Sequence, residues 1–194
     1  LFGTPSVGRQ EVELEPLIGP FINNQVLRLK TPQGQGFADH VAQTKSAVEG
    51  ALVHQNLPFS KLVEVVNPVR DASRAPLISM NFNLQHVFME DQTYGAFNMV
   101  SKPTQTPGAS RDLDIVIIGR PTGWRLNIEY SPSLYKPETN IALMEMIKQS
   151  FAHAFSTDDF ALADLPLVQP ADAQQVTIDP VAQALETHPA VGQA

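Results

Sequence analysis

The sequence predicts an α+β fold, a mixed β-sheet packed with two long helices, and three observations predict it. From Phe37 to about Asn56, the apolar residues Phe37, Val41, Val48, Ala51 and Leu52 fall three, four or seven apart, which is helical spacing. From Thr139 to Phe155, Met144, Ile147, Phe151 and Phe155 line one side of a second helix. Between the two helices the period changes to two: Ile78, Met80, Phe82 and Leu84 alternate with Ser79, Asn81, Asn83 and Gln85. Strands grouped between helices, rather than alternating with them, indicate α+β.

The elements follow in order. Leu1 to Gly3 reads as the end of a strand, followed by a charged loop. Asn24 to Lys30 places Leu27 and Leu29 on one face of a short strand, and "TPQGQG" then turns the chain. After the first long helix, Ser60 is a candidate cap for a short helix "KLVEVV" with Glu64 near its first turn. "LDIVIIG" is almost wholly apolar and reads as a strand covered on both faces. Past the turn "RPTG", Trp124, Leu126, Ile128 and Tyr130 alternate with polar residues, so the two segments form an antiparallel hairpin. Pro137 suits the first turn of the last helix. Beyond Ser156 the chain is rich in Asp, Pro, Ala and Gln. The expected organisation is therefore a domain over residues 1–158 and a linker or tail over 159–194, leading toward a neighbouring module.

Composition narrows the function. The net charge of −7 and pI near 5.1 come without a basic stripe, which argues against a nucleic-acid partner. With no cysteine there is no disulfide, thiolate nucleophile or cysteine metal site. No two of the five histidines stand at i, i+3 or i, i+4, and no acidic cluster has ligand spacing, so no metal is expected. "TPQGQGF" lacks the Lys-Ser/Thr of a phosphate loop. No apolar run reaches membrane length and "LFGTPSVGR" is not a signal peptide, so a cytoplasmic location without membrane partners is expected. The first residues begin as though inside a strand, which suggests a piece of a longer polypeptide.

Several candidate site residues carry two readings. His54 and Gln55, at a helix end, either tie down orphan carbonyls or touch a substrate. Pro58 and Phe59 read as a chain reversal and a core anchor. Arg70, Asp71, Ser73 and Arg74, followed by Pro76, form either a local ion-pair and turn network or a contact for a phosphate. Asn23 and Asn24, after Gly19 and Phe21, satisfy loop backbone. Ser79, Asn81 and Asn83 read as the solvated face of a strand.

"HQNLPFSKLVE" followed by "VRDASRAPL" resembles two adjacent signatures of the condensation domains of nonribosomal peptide synthetases, His-Gln-Asp-x-Pro-Phe-Glu and Arg-Asp-x-Ser-Arg-x-Pro-Leu. Asn56 and Ser60 depart from the first; Arg70, Asp71, Ser73, Arg74, Pro76 and Leu77 match the second. "LIGPFINNQVLRL" resembles a third signature, matching at Gly19, Phe21, Asn23 and Arg28, with Asn24 in place of Thr. "GTPSVGR" is similar to the opening of a loop that runs under the family's tunnel. "SRDLDIVI" is similar to the Phe-Asp-Leu strand, with Asp112 as the matching acid, and "IEYSPSLYKPETN" is similar to the usual ending.

The resemblance implies a chloramphenicol-acetyltransferase-like subdomain, the C-terminal half of a two-lobed domain. It implies that two carrier-bound thioesters meet in a tunnel, where the acceptor amine attacks the donor carbonyl. It makes Gly19, Phe21, Asn23 and Asn24, and the polar strand face of Ser79, Asn81 and Asn83, candidates to line that tunnel, where an amide meets the developing oxyanion. It implies as partners the N-terminal half of the domain, donor and acceptor carrier domains, and an adjoining adenylation domain. It implies that no cofactor is bound directly and that phosphopantetheine is delivered by the carriers. The family's catalytic His-His-x-x-x-Asp-Gly is absent from this sequence, since His40, His54, His86, His153 and His188 are never adjacent. No catalytic residue is therefore expected on this chain, and the chain alone is expected to be inactive. An epimerisation or heterocyclisation relative, a non-catalytic docking platform and a coenzyme A-dependent acyltransferase remain open. "ALETHPAV" in the tail faintly resembles a segment of adenylate-forming enzymes.

Overall fold

The computed structural model describes residues 1–71, 74–86, 92–99, 109–120, 123–157 and 159–165. Seven strands and three α-helices run in the order β1 (Phe2–Ser6), β2 (Asn23–Leu27), α1 (Phe37–Val53), α2 (Phe59–Val66), β3 (Met80–His86), β4 (Gln92–Tyr94), β5 (Phe97–Met99), β6 (Leu113–Arg120), β7 (Gly123–Tyr130) and α3 (Pro137–Ser156) among the described residues. Five strands make a mixed sheet ordered β2-β1-β3-β6-β7. The outer pairs are antiparallel, while β1–β3 and β3–β6 are parallel. This is the α+β arrangement of a mixed sheet and long helices that the sequence predicts, with the β6–β7 hairpin in full register from Leu113↔Tyr130 to Arg120↔Gly123.

Several boundaries move for physical reasons. β1 runs to Ser6 instead of ending at Gly3, and takes Pro5 with it. Proline is tolerated there because β1 meets β3 only at Gly3↔Asn81, so no ladder bond on that side needs the missing N–H. Gly3 is required by close approach: a Cβ at that position would lie 2.5 Å from Ile78 Cγ2 and 2.8 Å from Asn81 Oδ1. Ser60 does not cap α2. The helix starts two residues earlier than expected, at Phe59, with Pro58 in the cap position. It ends at Asn67, whose φ of 45° and N–H to Val63 C=O close the last turn before Pro68. The hairpin β4–β5, turning at Gly95 with φ 59°, has no counterpart in the sequence reading, because Gly-Ala is a weak turn signal beside Asn-Gly.

The buried core is small. Leu77 and Ile78 form its centre, packed by Leu1, Val26, Phe59, Leu62, Val63 and Val66. Leu113, Ile115 and Ile117 of β6 are buried as well. The expected dry face of β3 is only partly dry: Phe82 and Leu84 are exposed, as are Val41 and Leu52 of α1 and Phe151 and Phe155 of α3. α1 packs on β2 and α3 on β7, at opposite edges of the sheet.

Residues 159–165, expected in the linker, are bonded to the body. Phe37 N–H donates to Phe160 C=O (2.8 Å), Leu162 N–H to Gln35 C=O (3.0 Å), and Gly36 bridges Ala161. Phe160 stacks on Phe37 with centroids 4.7 Å apart, and its ring meets His153 edge-on at 4.5 Å. The strap therefore ties the start of α1 to the last turn of α3.

Candidate functional site

Asn23 begins β2, and its side chain reaches the turn between α1 and α2. Its Nδ2 donates to Gln55 C=O (2.9 Å) and Leu57 C=O (2.7 Å), while its Oδ1 accepts from Phe59 N–H (3.1 Å). One amide thus satisfies carbonyls past the end of α1 and an orphan donor at the start of α2, the groups that every helix end leaves open. Gln25 adds to the clamp, donating to Gln55 C=O (3.3 Å) and to Ser6 Oγ (3.1 Å). These bonds explain why "HQNLPF" is built as it is. His54 itself is exposed and caps α1 through its backbone N–H, to Ala51 and Leu52 C=O, and not through its imidazole. Gln55 contributes its carbonyl, Pro58 turns the chain, and Phe59 anchors in the Leu77–Ile78 core.

Asn23 and Asn24 therefore do not act as a pair. Adjacent residues on a strand point to opposite faces. Asn23 lies with Gln25 and Ser6 on the clamped face. Asn24 stands opposite Pro5, on the face that carries Gly3 and, through the Gly3↔Asn81 bridge, Asn81 and Asn83. In register on that same face lie Asp114, Val116 and Ile118 of β6 and Glu129, Asn127 and Arg125 of β7. The result is a polar face across the middle of the sheet. On it Asn81 Nδ2 donates to Asp114 Oδ1 (2.9 Å), Ser110 Oγ donates to Asp114 Oδ2 (3.2 Å), and Arg125 Nε donates to Asn127 Oδ1 (3.0 Å). Asn81 Oδ1 is buried without a hydrogen-bond partner, which leaves an acceptor in place. Asp114 and Asn127 were not singled out by sequence; period-two counting from Asn81 across the hairpin is the signal that finds them.

Ser79 lies just before β3, where its C=O accepts from Leu113 N–H. Arg70, Asp71 and Arg74 are exposed, and Arg74 N–H donates to Asp71 C=O (3.3 Å). Ser73 lies outside the described residues. Pro76 C=O accepts from Ile78 N–H (2.7 Å) across Leu77, which is buried at a φ of 64°. This tight turn swings the chain from the Arg-Asp segment into β3. Asp112 accepts Ser131 N–H at its backbone carbonyl. Its carboxylate also faces Tyr135, whose phenol is pushed above the usual tyrosine range first by burial and then by that charge, with Arg74 opposing. Asp112 and Arg74 thus both lie near enough to Tyr135 to act on its phenol.

Gly19 and Phe21 belong to the loop between β1 and β2. Arg9, absent from the sequence-based candidates, donates Nη2 to Gly19 C=O (3.1 Å) and Nη1 to Leu14 C=O, and its guanidinium lies 4.1 Å over the Phe21 ring. Among the described residues no group of three His, Cys, Asp or Glu side chains is placed to hold a metal. No helix among them is long and apolar enough to cross a membrane.

Comparison with known proteins agrees with this geometry. The family model described as the condensation domain matches residues 1–177. Phosphinothricin tripeptide synthetase PhsB of Streptomyces viridochromogenes is 30% identical over 174 residues, 88% of this chain and 15% of that protein. Gramicidin S synthase 2 of Brevibacillus brevis is 28% identical over 184 residues, 92% of this chain and 4% of that protein. The chain thus spans a small part of these relatives. Among solved structures, a four-domain nonribosomal peptide synthetase bound to AMP and glycine superposes with a TM-score of 0.77 at 18% identity, covering 88% of this chain and 14% of that one. The X-domain from teicoplanin biosynthesis superposes with a TM-score of 0.75 at 22% identity, covering 86% and 39%. With sequence blocks, sheet order and family match in agreement, the chain belongs to the condensation-domain family of nonribosomal peptide synthetases.

Proposed function

We propose that this chain is the C-terminal lobe of an amide-forming condensation domain and supplies one wall of its cleft. The amine of a carrier-bound aminoacyl acceptor attacks the thioester carbonyl of a carrier-bound donor. A C–N bond forms, the C–S bond breaks, and the proton lost by the amine ends on the departing pantetheine thiol. Such a reaction needs a group that manages the proton and donors that support the oxyanion. The polar face offers amides and a carboxylate, and none of its residues is an imidazole. The proton-handling histidine therefore belongs to the other lobe. Asn24, Asn81 and Asn83 line the cleft, with the Asn81 amide held in place by its hydrogen bond to Asp114. Asn23, Gln55, Pro58 and Phe59 hold the wall in shape.

The family match over residues 1–177 carries this reading. The test is peptide formation from aminoacyl carriers, followed by mass spectrometry. The parent synthetase is expected to form the amide, while the isolated chain forms none. Product from the isolated chain would overturn the placement of catalysis in the other lobe.

A second reading, a recruiting platform, is supported by the likeness to the teicoplanin X-domain, which has been solved in complex with OxyB (TM-score 0.73, 22% identity). An intact His-His-x-x-x-Asp-Gly in the parent polypeptide selects the first reading, and its loss there selects the second.

A further inference from the structure

Gly3, Asn81 and Asp114 stand side by side across three neighbouring strands, paired in register as Gly3↔Asn81 and Asn81↔Asp114. The Asn81 carboxamide therefore sits between a residue without a side chain and a carboxylate. Toward β1 it has room because position 3 is glycine: a Cβ there would lie 2.8 Å from Asn81 Oδ1. Toward β6 its Nδ2 donates to Asp114 Oδ1 (2.9 Å). The carboxylate is held in turn, since Ser110 Oγ donates to its other oxygen, Oδ2 (3.2 Å).

The two ends of an asparagine amide have nearly the same shape and opposite hydrogen-bonding character. An ionised carboxylate accepts and never donates, so Asp114 selects the nitrogen end for the β6 side and leaves the oxygen end to the space beside Gly3. Asn83, two residues on, stands opposite Val116, an apolar neighbour that cannot tell the two ends apart. Nδ2 carries two N–H groups and Asp114 takes one of them; the second has no acceptor among the described residues.

We propose that Asp114 is a positioning residue for amide formation: it keeps the Asn81 amide turned so that the second N–H of Nδ2 is offered to the carbonyl oxygen of the donor thioester. The inference rests on the condensation reading above. As the acceptor amine forms the C–N bond, the carbonyl π pair moves onto that oxygen. On collapse the C=O re-forms, the C–S bond breaks, and the thiolate takes the proton that the amine gives up. A donor already turned toward the oxygen stabilises its charge without reorganising, whereas an amide free to turn also presents its own oxygen, which repels it. Asp114 acts through Asn81 and touches no reacting atom.

The test is the single-turnover rate of amide formation in the intact parent synthetase with both carriers loaded. Asp114→Ala is expected to slow it about ten- to a hundred-fold while carrier loading is unchanged. Asp114→Val, which suits a strand and cannot accept a hydrogen bond, is expected to do the same, and it serves where the alanine variant does not fold. Asp114→Asn still has an oxygen for Asn81 and is expected to return the rate to within about three-fold of wild type. The double variant Asn81→Ala/Asp114→Ala is expected to be no slower than Asn81→Ala alone, because the carboxylate works only through the amide. A wild-type rate in Asp114→Val, full additivity of the two alanine changes, or an Asp114→Asn variant as slow as Asp114→Val would each overturn the positioning role and leave the condensation reading standing. A wild-type parent that forms no amide would overturn both.

Discussion

Asn23 makes more of this lobe than its size suggests. Its three hydrogen bonds serve two helix ends at once. Asn23→Ala is expected to lower the stability of the chain by about 1–3 kcal/mol, since two carbonyls and an N–H lose their partner together. Thermal unfolding followed by circular dichroism reads this directly. A melting temperature equal to wild type would show that water replaces the amide without cost. Tyr135 predicts a pH effect. Its folded pKa is raised, by burial first and by the Asp112 carboxylate second, so folding favours the protonated phenol. The associated stability is complete below the unfolded tyrosine pKa of about 10 and is lost as pH climbs through the higher folded value. Urea unfolding between neutral and strongly alkaline pH is expected to show a steeper alkaline loss for wild type than for Tyr135→Phe. Equal slopes would remove Asp112 and burial as the cause.

At the scale of elements, the strap after α3 is an unplanned clasp. Asp159 Oδ1 accepts from Ala38 N–H (3.3 Å) at the first turn of α1, the position where an acidic acceptor is favoured. Phe160 fills the space between Phe37 and His153. Phe160→Ala is expected to cost about 1–3 kcal/mol, the range for losing a half-buried aromatic contact. Amide exchange should rise at Phe37 to His40 before it rises in β6. Uniform acceleration through the whole sheet would show that the strap and the body unfold as one unit. The same segment was legible only as a Pro- and Asp-rich stretch, because a strap bonded through backbone groups leaves little side-chain pattern behind it. The hairpin β4–β5 escaped notice for a similar reason, its turn resting on Gly95 with no flanking alternation.

For the molecule as a whole, the distribution of apolar surface is the informative property. Phe82, Leu84, Trp124 and Phe155 are exposed together with Val7, Val12, Leu17, Ile18 and Ile22 of the segment between β1 and β2. Trp124, the single tryptophan, is 66% exposed on β7. Its fluorescence in the isolated chain is expected to be red-shifted and readily quenched by iodide. A blue, unquenched emission would mean that another surface already covers β7. Apolar spacing that looked like core, such as Phe151 and Phe155 on α3, is here an outer face, because periodicity marks which residues share a side and says nothing about what lies against it.

The sequence by itself determined the period of every long element, the β6–β7 hairpin, the order of the six family blocks and the absence of paired histidines, since all of these are local patterns read along the chain. Only the tertiary structure decided that Asn23 and Asn24 part to opposite faces, that Asn81 meets Asp114, that Arg9 clasps its own loop and that Phe160 bolts α1 to α3. Each of these contacts joins residues that strand register or loop closure brings together, and a one-residue shift in register would send every one of those strand side chains to the other face.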